Sequence, residues 1–523
     1  MAARTVLRRF STRAASPLDV CIVSAVRTPI GGFNGSLASL SAPALGAAAI
    51  KGALAKANVN PSAVQQCWMG NVLSAGIGQA PARQAARQAG LPDSTQCTTI
   101  NKVCSSGMKA IVLGAQQIQL GLADVVVAGG FESMSNVPYI VPKARFGARM
   151  GDAKMVDAMV ADGLWDPYGD CHMGGYAELC AEKHSITRAD QDAHADESYR
   201  RARAATKAGL FAAEVVPVSL PGKKKGTSVE VTLDDEPATP ERPANEARTA
   251  FKKENGTVTA ANASTISDGA ACVLLMSRAA AERHGCKVLA VIKGYGDAEQ
   301  EPAWFTTAPA KALPAAVAHA GVTLDQVDFF EINEAFSVVS VANNRLLCLD
   351  PNKVNVHGGA VALGHPIGAS GARIVVTLLH VLQQKGGKIG AAGSTCSNVS
   401  NLRRPFGSTP AHPHSEPIGV HERSLQWWRR RERDRPRTCV SLERATSARA
   451  TRFVSSLTQR PGCVALIVCR PSSGRLLQRD ANTTHALRTY TCGSWCGRCA
   501  RYRRRPCRHI LPANRCVRVR SRI

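Results

Sequence analysis

Two stretches far apart in the chain align with each other: Cys104–Val112, CSSGMKAIV, and Gly368–Val376, GASGARIVV. Each sets small residues where an apolar run begins, so each reads as the opening of a buried helix that packs closely against a neighbour. A faint internal repeat of this kind fits a chain built from two similar halves. Around the first, strand-like Cys97–Ile100 leads through a turn into apolar Met108–Leu120 and then strand-like Val125–Ala128. That order is strand, turn, helix, parallel strand, an α/β unit.

The turn carries Cys104, within NKVCSSGMK (Asn101–Lys109). Unpaired backbone amides and the positive end of the helix dipole favour a thiolate at such a position. A single cysteine before a helix is more often a small buried hydrophobe, so partners decide its meaning. Two further blocks supply them. Strand-like Val327–Phe330 precedes Glu331–Phe336, EINEAF, and Asn355–Arg373, NVHGGAVALGHPIGASGAR, gathers glycines around His365-Pro366. Cys104 and His365 read as a nucleophile and its base.

These blocks resemble the thiolases, from about Val20 to Gly393. The resemblance implies two similar βαβαβ-type halves in a layered α/β/α/β/α arrangement with an inserted loop domain. The N-terminal half would take 19–138 and 257–285, the loop domain 139–256, and the C-terminal half 286–400. The chemistry implied is reversible Claisen condensation of two acetyl-CoA to acetoacetyl-CoA and CoA, or thiolysis, through an acyl-enzyme on Cys104. His365 would take the thiol proton, and the enolate oxygen would meet His365 together with a water held by Asn333. No cofactor is required beyond the coenzyme A thioesters themselves.

Cys171-His172-Met173-Gly174 resembles the signature of the short-chain members, in which His172 and Met173 narrow the acyl pocket. Broader-chain 3-ketoacyl-CoA thiolase is the enzyme alternative. Ser264, Ala335 and Phe336 fall on positions lining the pantetheine channel. Tyr199, Ala260, Ala261, Ala263 and Val361 fall on those that hold potassium in the mitochondrial branch, and carbonyl ligands there suit a hard cation. A homotetramer, a dimer of dimers, is the assembly the resemblance implies.

The chain departs from the family after Gly393. Thiolases carry a second cysteine in a Cys-x-Gly-Gly-Gly stretch, and here Ser394-Thr395-Cys396-Ser397 stands in its place, with Cys396 as a displaced candidate. Residues 401–523 hold 27 Arg, no Lys and 6 acidic residues, which is +21 of the chain's +26. Such composition fits GC-rich DNA read out of frame or through an intron better than a basic surface for nucleic acid, and no specific nucleic-acid partner is expected. The reading is therefore a truncated C-terminal half followed by a disordered, non-native tail. A chain ending near Ser400 is expected to be at least as soluble as the whole, and an impaired thiolase body stays open beside the active enzyme.

At the other end, residues 1–18 carry Arg4, Arg8, Arg9 and Arg13 with no acid before Asp19, the composition of a transit peptide for the mitochondrial matrix. No apolar stretch reaches the ~18 residues of a membrane span. Ten cysteines in the body, one of them needed as a free thiol, suit a reducing compartment.

Overall fold

The computed structural model describes residues 19–222, 224, 226–239, 243–395 and 463–470. All of these fall in one compact unit running to Ser472, and a second unit, Ser473–Ile523, lies wholly outside the described residues. Residues 1–18, expected to be a transit peptide, lie outside them too.

Ten strands form one sheet: β1 (Val20–Arg27), β2 (Gly31–Gly32), β3 (Gln66–Gly70), β4 (Gln96–Ile100), β5 (Val125–Ser133), β6 (Ser267–Ser277), β7 (Ala290–Ala298), β8 (Phe329–Ile332), β9 (Ile389–Gly393) and β10 (Cys463–Cys469). Helices are α1 (Ala42–Ala57), α2 (Pro81–Gln88), α3 (Ser106–Gln119), α4 (Met173–Lys183), α5 (Arg188–Lys207), α6 (Arg278–Arg283), α7 (Pro309–Ala320), α8 (Ser337–Leu347), α9 (Ala360–Leu363) and α10 (Ile367–Gln384).

The strand order is β8-β9-β10-β7-β1-β6-β5-β3-β4, with β2 on β6. It holds the two expected halves end to end. The first is β1-β6-β5-β3-β4, with parallel β3, β4 and β5; the second is β7-β10-β9-β8, with β8 and β9 parallel. A two-residue antiparallel pairing, Cys21 with Val291 and Ile22 with Ala290, joins them.

Helices α3 and α10 pack on each other between the halves, α1 and α2 cover the outer face of the first, and α7 covers the second. The repeat seen in the sequence marks this central pair. A Cβ on Gly107 would stand 2.9 Å from Cβ of Ala372, and one on Gly371 would stand 2.8 Å from the backbone N of Met108. Either methyl would push the helices apart, because well-packed interiors have no slack for one. Met108, Ile111, Ile374, Val375 and Leu379 then join strands of both halves in a single buried cluster.

The C-terminal half is not truncated, and one stretch of the tail is not disordered. Strand β10 lies between β7 and β9, antiparallel to both, with Ala465 opposite Gly296 on one side and Gly393 on the other. Ala465, Leu466, Ile467 and Val468 are fully buried. The physical reason is that Cys463–Cys469, CVALIVC, is a continuous apolar run, as suits a strand covered on both faces. Its place mirrors that of β6, which closes the first half after the long excursion 134–266. Each half is thus closed by an antiparallel strand that comes after its parallel strands in the chain. The rest of 401–523 lies outside the described residues.

The first excursion contains the expected loop domain. It is pinned to the sheet by Arg27 of β1, fully buried, whose guanidinium meets Glu214 at 2.6 Å and Asp234 at 2.7 Å. No helix among the described residues is long and apolar enough to cross a membrane.

Candidate active site

Cys104 ends the turn that carries β4 into α3. Val103, immediately before it, has φ +45°, a left-handed conformation costly for a β-branched residue. The turn is over-determined by hydrogen bonds: the Ser106 hydroxyl accepts from Lys102 N at 2.7 Å and donates to Val103 O at 2.6 Å. Cys104 is thereby held at the mouth of α3 with its Sγ 3.2 Å from Nε2 of His365.

His365 sits just before α10, and its other nitrogen, Nδ1, is 2.5 Å from the Ser370 hydroxyl. That hydroxyl donates its proton to Pro366 O at 2.9 Å. It can therefore only accept from the ring, which puts the imidazole proton on Nδ1 and turns the Nε2 lone pair toward Cys104. Burial, helped by the nearby positive charge of Arg373, holds the His365 pKa down to about 3, so the ring is a neutral base throughout the physiological range. Sequence reading missed Ser370. Its signal was a hydroxyl one helical turn after His-Pro.

Asn333, expected beside His365, lies there: its Nδ2 is 3.5 Å from Nε2, and its buried Oδ1 has no partner among the described residues. Past β9, Ser394 donates to Cys104 O at 3.1 Å, and the Ser105 hydroxyl lies within 3.3 Å of Ser394 O and 3.1 Å of Thr395 O. The residues leading to Cys396 are therefore clamped onto the nucleophile's turn. Cys396 itself lies outside the described residues.

Cys104 and His365 open into an apolar cavity of about 270 Å³ whose walls include His172, Met173, Ser264, Ala335 and Phe336, all five expected there. His172 caps α4, accepting from Gly174 N at 3.0 Å. Its ring stacks at 4.8 Å on Phe251, which also meets Phe336 edge-on at 6.3 Å. Phe251 was not foreseen, since an isolated loop aromatic carries no pattern. A Cβ on Gly174 would collide with it at 2.3 Å, so the glycine after Met173 makes room for that ring. The Ser264 hydroxyl is engaged to Ala335 O at 2.8 Å, and it ties the loop before β6 to the segment before α8.

The potassium candidates divide. Tyr199, Ala260 and Ala261 line a second, more open cavity together with Glu236, and Val361 shares an apolar cluster with Tyr199 and Ala261. Ala263 instead lines the Cys104 cavity. Among the described residues no group of three or more His, Cys, Asp or Glu side chains could hold a metal ion.

Glu132 is a second residue that sequence reading missed. Fully buried at the end of β5, its carboxylate accepts from Asn71 Nδ2 (2.6 Å), Val72 N (3.0 Å), Leu73 N (3.2 Å) and Gly368 N (3.0 Å). Gly368 N is an unpaired amide of the first turn of α10, whose own N-cap, Pro366, offers no side-chain acceptor. Glu132 thus caps, from the other half, the helix that aims His365. Burial pushes its carboxyl up to about 7 against the pull of those amides.

Acidification through that range adds a proton and removes acceptor capacity, which loosens α10. Activity is expected to fall as pH drops through about 7, and His365, neutral down to about 3, cannot be the cause. In Glu132→Gln the rate should be up to about a hundred-fold lower, the order of loss from an ångström-scale misplacement, and flat over that range. A wild-type-like acid limb in that variant would assign it to another group.

The chain matches two family models: the thiolase N-terminal domain over residues 20–279 and the thiolase C-terminal domain over 286–401. It is 56% identical over 384 residues to acetyl-CoA acetyltransferase 2 of Arabidopsis thaliana, covering 73% of this chain and 95% of that protein. Acetyl-CoA acetyltransferases of Schizosaccharomyces pombe and Saccharomyces cerevisiae are 55% and 54% identical, each over 72% of this chain and 95% of their own.

Proposed function

We infer, for a chain that belongs to the thiolase family, the reaction of an acetyl-CoA C-acetyltransferase carried out through an acyl-enzyme on Cys104. The observation that carries the mechanism is the 3.2 Å approach of Cys104 Sγ to the lone pair of His365 Nε2 at the mouth of a narrow apolar cavity. As the sulfur attacks the thioester carbonyl, its proton passes to Nε2, and Nδ1–H stays on Ser370. Collapse expels the CoA thiolate, which takes that proton, and leaves acetyl-Cys104.

A second acetyl-CoA then gives up a methyl proton, and its carbanion attacks the acetyl group to form acetoacetyl-CoA and release the Cys104 thiolate. A water on the unpartnered Oδ1 of Asn333 would donate to the enolate oxygen, joined by His365 once its Nε2 carries a proton. Cys396 is the residue proposed to exchange the methyl proton. The clamping of Ser394 and Thr395 onto the Cys104 turn supports it, and Cys396→Ser tests it by slowing condensation while leaving Cys104 acetylation intact.

The wall made by His172, Met173, Phe251 and Phe336 favours a short acyl group, although each methylene is worth only about 1–3 kcal/mol. A homotetramer is the proposed assembly. Support comes from exposed apolar side chains of the loop domain, Tyr139, Phe146, Met150 and Met155. Potassium held by carbonyls near Tyr199 and Val361, and a mitochondrial matrix address in residues 1–18, are proposed on the same family footing.

The deciding experiment is peptide mass spectrometry after exposure to acetyl-CoA, with acetoacetyl-CoA followed in parallel. One acetyl group on Cys104, discharged by CoA, is the expected result. Labelling elsewhere, or turnover that survives Cys104→Ala, would overturn the reading.

A further inference from the structure

Next to Asn333 stands a buried charge that takes no part in the acyl transfer itself. Glu334 is 1% exposed, and its carboxylate lies where three other stretches of chain converge. Oε1 accepts from Asn355 Nδ2 at 2.7 Å and from His194 Nε2 at 3.2 Å, while Oε2 accepts from the Ser198 hydroxyl at 2.8 Å and from Val361 N at 3.2 Å. His194 and Ser198 belong to α5 of the first excursion, Asn355 pairs with the end of β8, and Val361 lies in α9, which runs directly into Gly364-His365.

An ion is kept in an interior only where donors surround it. Burial pushes the Glu334 carboxyl up, but the bonds from His194, Asn355 and Ser198 outweigh it and hold the group down to about 2, so it stays ionised at any working pH. Its surroundings are shaped to it: a Cβ on Gly359 would run into the carboxylate, and the Ser198 hydroxyl also accepts from Gly359 N at 3.0 Å.

Asn333, by contrast, has little hold on its own side chain. Its Nδ2 is at the 3.5 Å limit of a hydrogen bond to His365, and its Oδ1 has no partner among the described residues. Where that side chain points is therefore set by the backbone. Asn333 N donates to Gly393 O at 2.9 Å. On one side of it, Ile332 N donates to Asn355 Oδ1 at 2.9 Å and Ile332 O accepts from Asn355 Nδ2 at 2.8 Å. On the other side the fixed point is the Glu334 carboxylate, which shares the same Asn355 amide. His365 is held separately: its N lies 3.2 Å from both Thr265 O and the Ser267 hydroxyl, and Ser370 fixes its ring.

We propose that Glu334 is a positioning residue for the enolate half of the reaction, holding Asn333 where the water on its Oδ1 meets the developing enolate oxygen and tying that place to the seating of α5. The proposal rests on the acyl-enzyme reading above and has a selective consequence, because acetyl-Cys104 can be reached from two donors. With acetyl-CoA, Sγ attacks the thioester carbonyl, CoA thiolate leaves and no enolate forms. With acetoacetyl-CoA, Sγ attacks the ketone carbonyl, the C–C bond breaks, and its electron pair leaves as the enolate of acetyl-CoA. In both the thiol proton passes to His365 Nε2. Nucleophile, base and acyl-enzyme are shared, so only the second donor calls on Asn333.

The test follows acetylation of the Cys104 peptide in the full chain by rapid quench and mass spectrometry, with each donor in turn. Glu334→Gln keeps the shape but gives up the charge and one acceptor oxygen. It should slow acetylation by acetoacetyl-CoA at least about ten-fold more than acetylation by acetyl-CoA, a fraction of the loss that an ångström of misplacement brings. Ser198→Ala, a milder change that removes one donor to the carboxylate, should show the same bias to a smaller extent. Asn333→Ala should carry the bias as well, and adding Glu334→Gln to it should not increase it. Equal slowing with both donors in the Glu334 and Ser198 variants, or a bias that adds to that of Asn333→Ala, would overturn the proposal. A wild-type chain acetylated on Cys104 by neither donor would instead overturn the acyl-enzyme reading itself, and the proposal with it.

Discussion

Truncation after Ser400 is expected to leave a chain that cannot fold stably, whereas truncation after Ser472 should melt like the full protein. The difference between the two is β10. Leu466, Ile467 and Val468 are completely buried, each contributing roughly 1.5–3 kcal/mol. Their loss alone approaches the net stability of an ordinary domain, about 5–15 kcal/mol. Removing the strand also strips both partners of their pairing. The backbone groups of β7 from Val291 to Ala298 and of β9 from Ile389 to Gly393 would open onto a gap inside the sheet.

The shorter chain should accordingly collect in inclusion bodies or show no cooperative transition by calorimetry. In the intact chain, Leu466→Asp should act in the same direction, because it buries an unpaired charge between two strands. A cooperative melt of the 1–400 protein at the temperature of the full chain would mean that β10 adds nothing to the fold. Survival of the Leu466→Asp variant would say the same without any truncation.

Why β10 escaped sequence reading is a matter of context. Seven apolar residues between Pro461-Gly462 and Arg470-Pro471 are a strand signal. The surrounding 27 arginines swamped it, and a count taken over the whole of 401–523 averages it away. Family similarity gives no help, since the C-terminal domain match stops at residue 401. The halves themselves hold the missing clue: β1-β6-β5-β3 requires a counterpart to β6 in the second half, and only a strand beyond Gly393 can supply it.

The central helices were legible because Gly107 and Gly371 answer to one steric demand that leaves a sequence trace. Cys104, His365 and Asn333 were legible because the motifs carrying them are long. Ser370, Glu132 and Phe251 were not, because each acts through a contact between distant segments: a hydroxyl that fixes a tautomer, a carboxylate that caps a helix of the other half, a ring that fills a notch left by Gly174. Single residues of ordinary type announce none of these roles.

Removing either member of the Cys104–His365 pair is expected to cost nearly as much as removing both. The base contributes by accepting the proton of this particular sulfur, and general-base assistance is worth about 10²–10⁴-fold. With Cys104→Ala the lone pair on Nε2 has no thiol to relieve. With His365→Ala the thiol has lost the acceptor at 3.2 Å and must shed its proton to solvent from a residue only 9% exposed. Thiolysis of acetoacetyl-CoA should therefore drop by at least about a thousand-fold in His365→Ala and to background in Cys104→Ala. The double variant should be no worse than the latter, the non-additivity expected of residues that act as one unit.

Ser370→Ala separates orientation from basicity. It leaves the imidazole in place but frees Nδ1, so either tautomer can form and a smaller loss, roughly ten-fold, is expected. Additive losses in the Cys104–His365 cycle would mean that the two side chains act on different steps. The 3.2 Å contact would then be packing rather than a proton path.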